Sequence, residues 1–315
     1  PPRSTLARPR RQRQMCIRDR VFDAEYFLLS KSRSRSLAHG GGTEKVKKYA
    51  LNKLLALVVF VTLQLFILNP AVAGSDCTIV CQGSLVIDEI ETAADLEALS
   101  GCTTVTGDLS IEYSPLTSLE GLECLAHVGG RLEIKLNESL TSLIGLESVE
   151  YVGGDLGISV NRSLTSLTGL HNLESVGGIL DIEHNESLTS IAGLHNLEAF
   201  GGRLNIEHND SLTSLAGLEN ITSIGEDLEI SYNFSLTSLA ALKNLKSVGG
   251  HLDISINRSL TSLAGLNSLE SVGGNLVIWY NRRLCTSLAE ALGDRLLDSG
   301  GTGGFINISM NKPGC

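Results

Sequence analysis

The chain reads as an all-β solenoid of 24-residue coils, and three observations carry that reading. One unit, Asn-x-Ser-Leu-Thr-Ser-Leu-x-Gly-Leu-x-Asn-Leu-x-Ser-Val-Gly-Gly-x-Leu-x-Ile, recurs with little change, opening at Asn137, Asn161, Asn185, Asn209, Asn233 and Asn257. A constant period of this size marks coils that bury their apolar faces only by stacking on their neighbours. Within each unit Leu-x-Ile (Leu156-x-Ile158, Leu180-x-Ile182, Leu204-x-Ile206) has period two, which predicts a short strand with one face inward. The stretch Leu164-x-x-Leu167-x-x-Leu170-x-x-Leu173-x-x-Val176 has period three, too regular for a globular helix. It predicts short extended pieces and tight turns that each send one side chain inward.

From the front, residues 1–43 fit neither a domain nor a targeting signal. Gln14 to Arg20 resembles translated sequencing adapter, and translation is expected to begin near Val46, leaving a non-native or disordered basic leader. Residues 44–73 have the form of a signal peptide: Lys45, Lys47, Lys48 and Lys53, an apolar core from Leu54 to Leu68, then Ala71-Val72-Ala73. The core is shorter than the roughly 20 residues of a membrane span, so any membrane contact is expected only through this segment, if uncleaved. The first 73 residues carry 14 Lys+Arg against 4 Asp+Glu, a net of +10; the remainder carries 11 against 31, a net of −20, and together they recover the −10 of the whole chain. So acidic a body disfavours nucleic acid as a partner.

Behind the signal, residues 74–114 are expected to form an amino-terminal cap, 115–284 the repeat solenoid and 285–315 a carboxy-terminal cap. Six cysteines follow the signal: Cys77, Cys81, Cys102, Cys124, Cys285 and Cys315. None lies in the uniform coils. An even number in an exported chain implies disulfides, and the ends of a solenoid are where staples belong. Short helices are expected at Thr92 to Leu99 and Ser287 to Leu297. Zinc at Cys77-x-x-x-Cys81 is the weaker alternative, because no matching downstream pair follows at short spacing.

Inside the coils, Gly153-Gly154 and its copies mark a corner before the strand that needs positive φ or close backbone approach. One copy keeps Gly225 but has Glu226, so the first position is the stricter. The asparagines that open each unit are expected to stack as an internal ladder. Their Asn-x-Ser sequons then belong to the coil, leaving Asn220 and Asn307 as the glycosylation candidates, if the host glycosylates.

With the caps in view, the chain resembles the receptor L-domain family, the ligand-binding module of insulin and epidermal-growth-factor receptors, with relatives among fungal cell-wall and bacterial surface proteins. The resemblance rests on Val80-Cys81-Gln82-Gly83 with Gly101-Cys102 through Ile111, on the Gly-Leu-x-x-Leu-x-x-Val-Gly-Gly-x-Leu-x-Ile coil, and on Tyr280 through Cys285 with Ile308 through Cys315. It implies a right-handed β-helix related to leucine-rich repeats. It also implies pairing of Cys81 with Cys102 and Cys285 with Cys315, which leaves Cys77 with Cys124. Only one such domain is present and the coils are more uniform than in the receptors, so hormone binding and receptor signalling are not carried over.

Function must lie in the letters that vary. The outward strand positions form two columns, one with Glu133, Asp181, Glu229 and Asp253, the other with Lys135, Glu183, Glu207 and Trp279. Asp181, Glu183, Glu207, Glu229, Asp253 and Trp279 are therefore the candidate ligand-binding residues, an acidic ribbon with a lone tryptophan that suits a cation, a basic peptide or a sugar. A plain solvated face is the alternative. His184 and His208 share one position and His171 and His195 another; duplication explains both pairs more simply than a metal site. No nucleophile, acid pair or phosphate loop breaks the repeat, so neither catalysis nor a cofactor is expected. The reading is a secreted or cell-surface binding or adhesion module that recognises protein or glycan. A structural wall protein without a discrete ligand comes next, and a polysaccharide-active β-helix enzyme last.

Overall fold

The computed structural model describes residues 77–88, 96 and 99–315. The expected leader (1–43) and expected signal peptide (44–73) lie outside the described residues, as does nearly all of the helix expected at 92–99. What is described is an all-β solenoid with about 24 residues per coil. Each coil contributes one four-residue strand to a long parallel sheet of ten strands, running in chain order from Leu85–Asp88 to Ile306–Ser309. Pairing is in strict register: Leu156, Leu180, Leu204, Leu228, Leu252 and Leu276 lie side by side, as do the isoleucines two residues on. A one-residue slip would turn this whole apolar column to solvent, and hence the identical letters hold the register.

The period-three stretch forms two-residue strands and 3-10 turns, such as Thr168–Leu170, Ala192–Leu194 and Ala264–Leu266. A 3-10 helix has three residues per turn, which is why the leucines recur every third position. Leu164, Leu167, Leu170 and Leu173 are all fully buried. Each such side chain contributes about 1.5–3 kcal/mol relative to exposure.

The asparagine ladder forms as expected. Asn185 donates from Nδ2 to the Ile158 carbonyl at 2.9 Å, while its backbone N–H donates to Oδ1 of Asn209 at 3.2 Å. The pattern repeats from Asn137 to Asn281 and ends on Asn311, and Ser114 takes the place of asparagine at the front. Asn137, Asn161, Asn185, Asn209, Asn233 and Asn257 are 0–1 % exposed, so their sequons serve the interior. Asn220 lies outside this ladder but within a second one at the surface. Its Nδ2 donates to the His195 carbonyl at 2.9 Å, as Asn172 and Asn196 do to Glu147 and His171. Asn307 is exposed on the outward face of the last strand.

The Gly-Gly corner is a place of close approach, not of positive φ. A Cβ on Gly177 would collide with the carbonyl oxygen of Gly153 one coil away. A Cβ on Gly154, at the second position, meets backbone no nearer than 2.9 Å, so the first position is indeed stricter. The left-handed bend falls instead on non-glycine residues just after each strand: Leu136, Val160, His184, His208, Tyr232, Ile256 and Tyr280 have φ of 54–60°. Such a conformation costs roughly 1–2 kcal/mol per residue. It turns the following asparagine into the ladder, whose buried hydrogen bonds offset the cost.

One seam interrupts the regularity. The sheet of two-residue strands runs from Ile79–Cys81 to Ala199–Phe200 and resumes as a separate sheet at Ser223–Ile224. Phe200 and Ile224 stand where Val152, Val176, Val248 and Val272 stand in other coils. A Cβ on Gly225 would lie 3.4 Å from the Gly201 carbonyl oxygen, so the first corner position beside this break is looser than its copies.

The caps close the ends. Helix α1 (Thr286–Asp298) buries Ala289, Leu292 and Leu296, with Ile306 and Ile308 packed on the core. Arg295 donates to the carbonyls of Leu269 and Leu266 at 2.6 and 2.8 Å. Disulfides join Cys77 to Cys124, Cys81 to Cys102 and Cys285 to Cys315, the pairing that the resemblance implied.

Candidate functional site

Because successive side chains of a strand point to opposite faces, the second and fourth residues of each long strand face outward, and the register stacks them into two columns. The first runs Glu133, Gly157, Asp181, Asn205, Glu229, Asp253, Val277. Beside it run Lys135, Ser159, Glu183, Glu207, Ser231, Ser255 and Trp279. Strands are about 4.8 Å apart, so Asp181, Glu183, Glu207, Glu229 and Asp253 gather on four consecutive coils. Trp279 stands at one end, next to Ser255, with its ring 5.2 Å from that of Tyr280. The structure therefore brings all six candidates onto one face, five as a cluster and Trp279 at its border.

The electrostatics of the cluster are unfavourable to itself. Burial lifts the carboxyls of Asp181, Glu183, Glu229 and Asp253 above the ordinary carboxylate range, and neighbouring carboxylates lift them further. Opposing this are single hydrogen bonds, from Asn205 to Asp181 at 2.9 Å, from Ser231 to Glu229 at 3.3 Å and from Ser255 to Asp253. Arg203, two residues before Asn205, acts by its charge on Asp181, Glu183 and Glu229, and His184 acts on Glu183 more strongly. Arg203 forms none of the close ion pairs among the described residues, and its Nε is buried without a partner. Asn205, 4 % exposed, likewise has no partner for Oδ1.

A rim of rings borders the cluster. His184 and His208 stack with centroids 4.4 Å apart and planes 8° from parallel, and Tyr232 continues the stack at 4.3 Å. Parallel stacking presents ring faces, not nitrogens, to the neighbours. His171 and His195 point Nδ1 at carbonyls of their own turns, Thr168 at 2.8 Å and Ala192 at 3.0 Å. Local structure accounts for both pairs, and no group of three His, Cys, Asp or Glu converges to hold a metal ion among the described residues. On the other side of the cluster a hollow of about 270 Å³ is lined by Asp227, Glu229, His251, Asp253, Asn275 and Val277.

Sequence reasoning missed Asn205, Arg203 and Asp227. Asn205 was visible as the uncharged letter in an acidic column, but nothing in the letters tells that its carbonyl is left unmatched. Arg203 and Asp227 precede the strand, a position that reads as corner.

The receptor L-domain family model matches residues 198–295, which take in Glu207, Glu229, Asp253, Trp279 and most of helix α1. No curated protein and no solved structure matches the chain.

Proposed function

We propose, of a chain that carries a receptor L domain, that it is an exported, non-catalytic module that binds a protein ligand on the outward face of its long sheet, between Asp181 and Trp279. The observation that supports this most is the acidic cluster, in which no lysine or arginine forms a close ion pair. Five carboxylates share one face, four of them lifted by burial and mutual repulsion; Arg203 acts on them only at a distance, and the imidazole of His208 lies 3.6 Å from Glu207. Folding alone does not favour such an arrangement, and a basic partner relieves it. The aromatic rim of His208, Tyr232 and Trp279 adds apolar contact area beside the charge, the combination found at protein-binding hot spots. Receptor L domains are ligand-binding modules, and the three disulfides suit an oxidising, extracellular setting. No helix among the described residues is long and apolar enough to cross a membrane.

Affinity capture from the producing organism's surface and culture fluid tests the reading, with wild type compared to Glu183→Lys and Trp279→Ala. A ligand held by wild type should be lost with Glu183→Lys and weakened with Trp279→Ala. Equal recovery by all three removes this face from the function.

A further inference from the structure

We infer that the carboxy-terminal end of the flank beside the asparagine ladder is a second binding site, for a densely sulfated sugar chain. It lies past the bend from the acidic sheet face and does not depend on that face binding anything. The residue directly after each ladder asparagine belongs to a column of its own: Glu138, Arg162, Glu186, Asp210, Phe234, Arg258, Arg282 and Lys312. Early in this column the charges answer one another. Arg162 Nη1 lies 3.9 Å from Glu138 and its Nε lies 3.3 Å from Glu186, the carboxylates of the coils on either side. On the last three coils the column holds only cations. Arg258, Arg282 and Lys312 follow one another, all exposed, with Arg283 beside them. None of the four forms a close ion pair among the described residues. Like charges on neighbouring coils repel across about 4.8 Å, so the run costs the fold energy that an anion returns.

Rings hold two of these cations in advance. The guanidinium carbon of Arg258 lies 4.4 Å from the Phe234 ring centroid. That of Arg282 lies 4.4 Å from the Tyr280 centroid, with Nη2 donating to the Tyr280 hydroxyl. Phe234 precedes Arg258 in the column as Glu138 precedes Arg162, so a ring stands where a counter-charge would. A guanidinium over a ring face keeps its charge and its fork of N–H donors, which suits an oxyanion. Fixing it beforehand lowers the ordering cost of binding. Trp279 continues the patch, its ring 5.2 Å from that of Tyr280. The ligand therefore needs both oxyanions and an apolar face, which a sugar ring has and a bare polyphosphate lacks. Spacing argues against an acidic peptide. One cation per coil asks for an anion about every 4.8 Å, whereas an extended peptide presents like-facing side chains about every 6.8 Å. A chain with more than one sulfate per ring meets the column however each ring turns.

The test uses Ser75–Cys315, a compact unit that contains the whole core and all three disulfides, because the +10 of the first 73 residues would itself attract a polyanion. Binding is titrated with dextran sulfate, unsulfated dextran, polyphosphate and poly-glutamate at about 0.15 M ionic strength, where the Debye length of about 8 Å screens the distant carboxylates. Dextran sulfate is expected to bind at least about tenfold more tightly than the other three. Arg258→Gln combined with Arg282→Gln should lose at least about tenfold in that affinity, the worth of one charge-assisted hydrogen bond or more. Arg162→Gln, whose guanidinium is already answered, should change nothing. Glu183→Lys, which tests the sheet face, should not weaken dextran sulfate, so either reading can fail alone. Unchanged melting checks the fold of the double variant, and Lys312→Gln, expected to weaken binding, serves if it melts early. Failure of wild type to bind dextran sulfate, equal binding of polyphosphate or poly-glutamate, or an equal loss in Arg162→Gln overturns the site.

Discussion

Glu112, Glu133 and Lys135 occupy the same two outward columns as Asp181, Glu183, Glu207, Glu229 and Asp253, two coils nearer the amino terminus. There the carboxylates are satisfied. Lys135 Nζ lies 2.9 Å from Glu133 and 3.3 Å from Glu112, and those bonds, Glu133 first, hold its own proton more tightly than usual. Gly157 and Ser159 then interrupt both columns, and beyond them the carboxylates have no such lysine. One scaffold thus carries a stretch whose charges answer each other and a stretch whose charges do not. The first explains itself as a stable surface. Only the second leaves its carboxylates lifted by burial and by one another, and the proposed binding face rests on that difference.

The largest expected effect tests whether the scaffold beneath the two stretches is the same. Asn209→Ala under the ribbon and Asn137→Ala under the paired stretch each leave a buried isoleucine carbonyl and a buried backbone N–H without partners. Each should cost about 3 kcal/mol or more in chemical denaturation. Unequal losses would mean that the stretches differ in backbone support and not only at the surface.

A smaller effect follows from pH. Burial raises the carboxyls of Asp181, Glu183, Glu229 and Asp253, so the folded chain takes up their protons at a pH where the unfolded chain has released them. Their penalty is complete at neutral pH and is relieved as pH falls through the raised values toward the ordinary carboxylate range. The melting temperature should therefore rise as pH falls from neutral toward the ordinary carboxylate range, while affinity for a basic partner falls as the ribbon loses charge. A melting temperature that falls across this window would show that the ribbon is not frustrated.

The smallest effect compares single residues. Glu229→Gln removes a carboxylate repelled by Glu207 and Asp253 and should stabilise the fold by on the order of 0.5 kcal/mol. Glu133→Gln removes one of the two partners of Lys135 and should destabilise the fold by no more than about 1 kcal/mol. Opposite signs in thermal denaturation are the expected result, and equal signs would erase the distinction.

Much of this molecule was legible because its repeat is so strict. Leu-x-Ile every 24 residues gave strand, register and inward face together, since only in-register stacking buries every copy. The recurring asparagine announced the ladder, and the cysteines at the ends announced the staples. The columns of the candidate site followed from the same register. Other features were not legible, because they depend on what lies one coil away. Positive φ falls on Val160 and Ile256, whose β-branched side chains disfavour it, because the turn into the ladder requires it there. Phe200 and Ile224 look like ordinary apolar letters, yet the sheet of short strands is split between them.

By itself, then, the sequence determined the solenoid, its period, its core and which residues share the outward face, because each of these is a local pattern repeated until only one stacking satisfies it. Tertiary structure alone decided which of those outward charges are answered. Glu133 and Glu229 are the same letter in the same column, but Glu133 meets the Lys135 nitrogen of its own strand at 2.9 Å, whereas the coils on either side of Glu229 bring Glu207 and Asp253. Charge acts through space, and the carboxylates that bear on Glu229 lie on the coils before and after it in the chain.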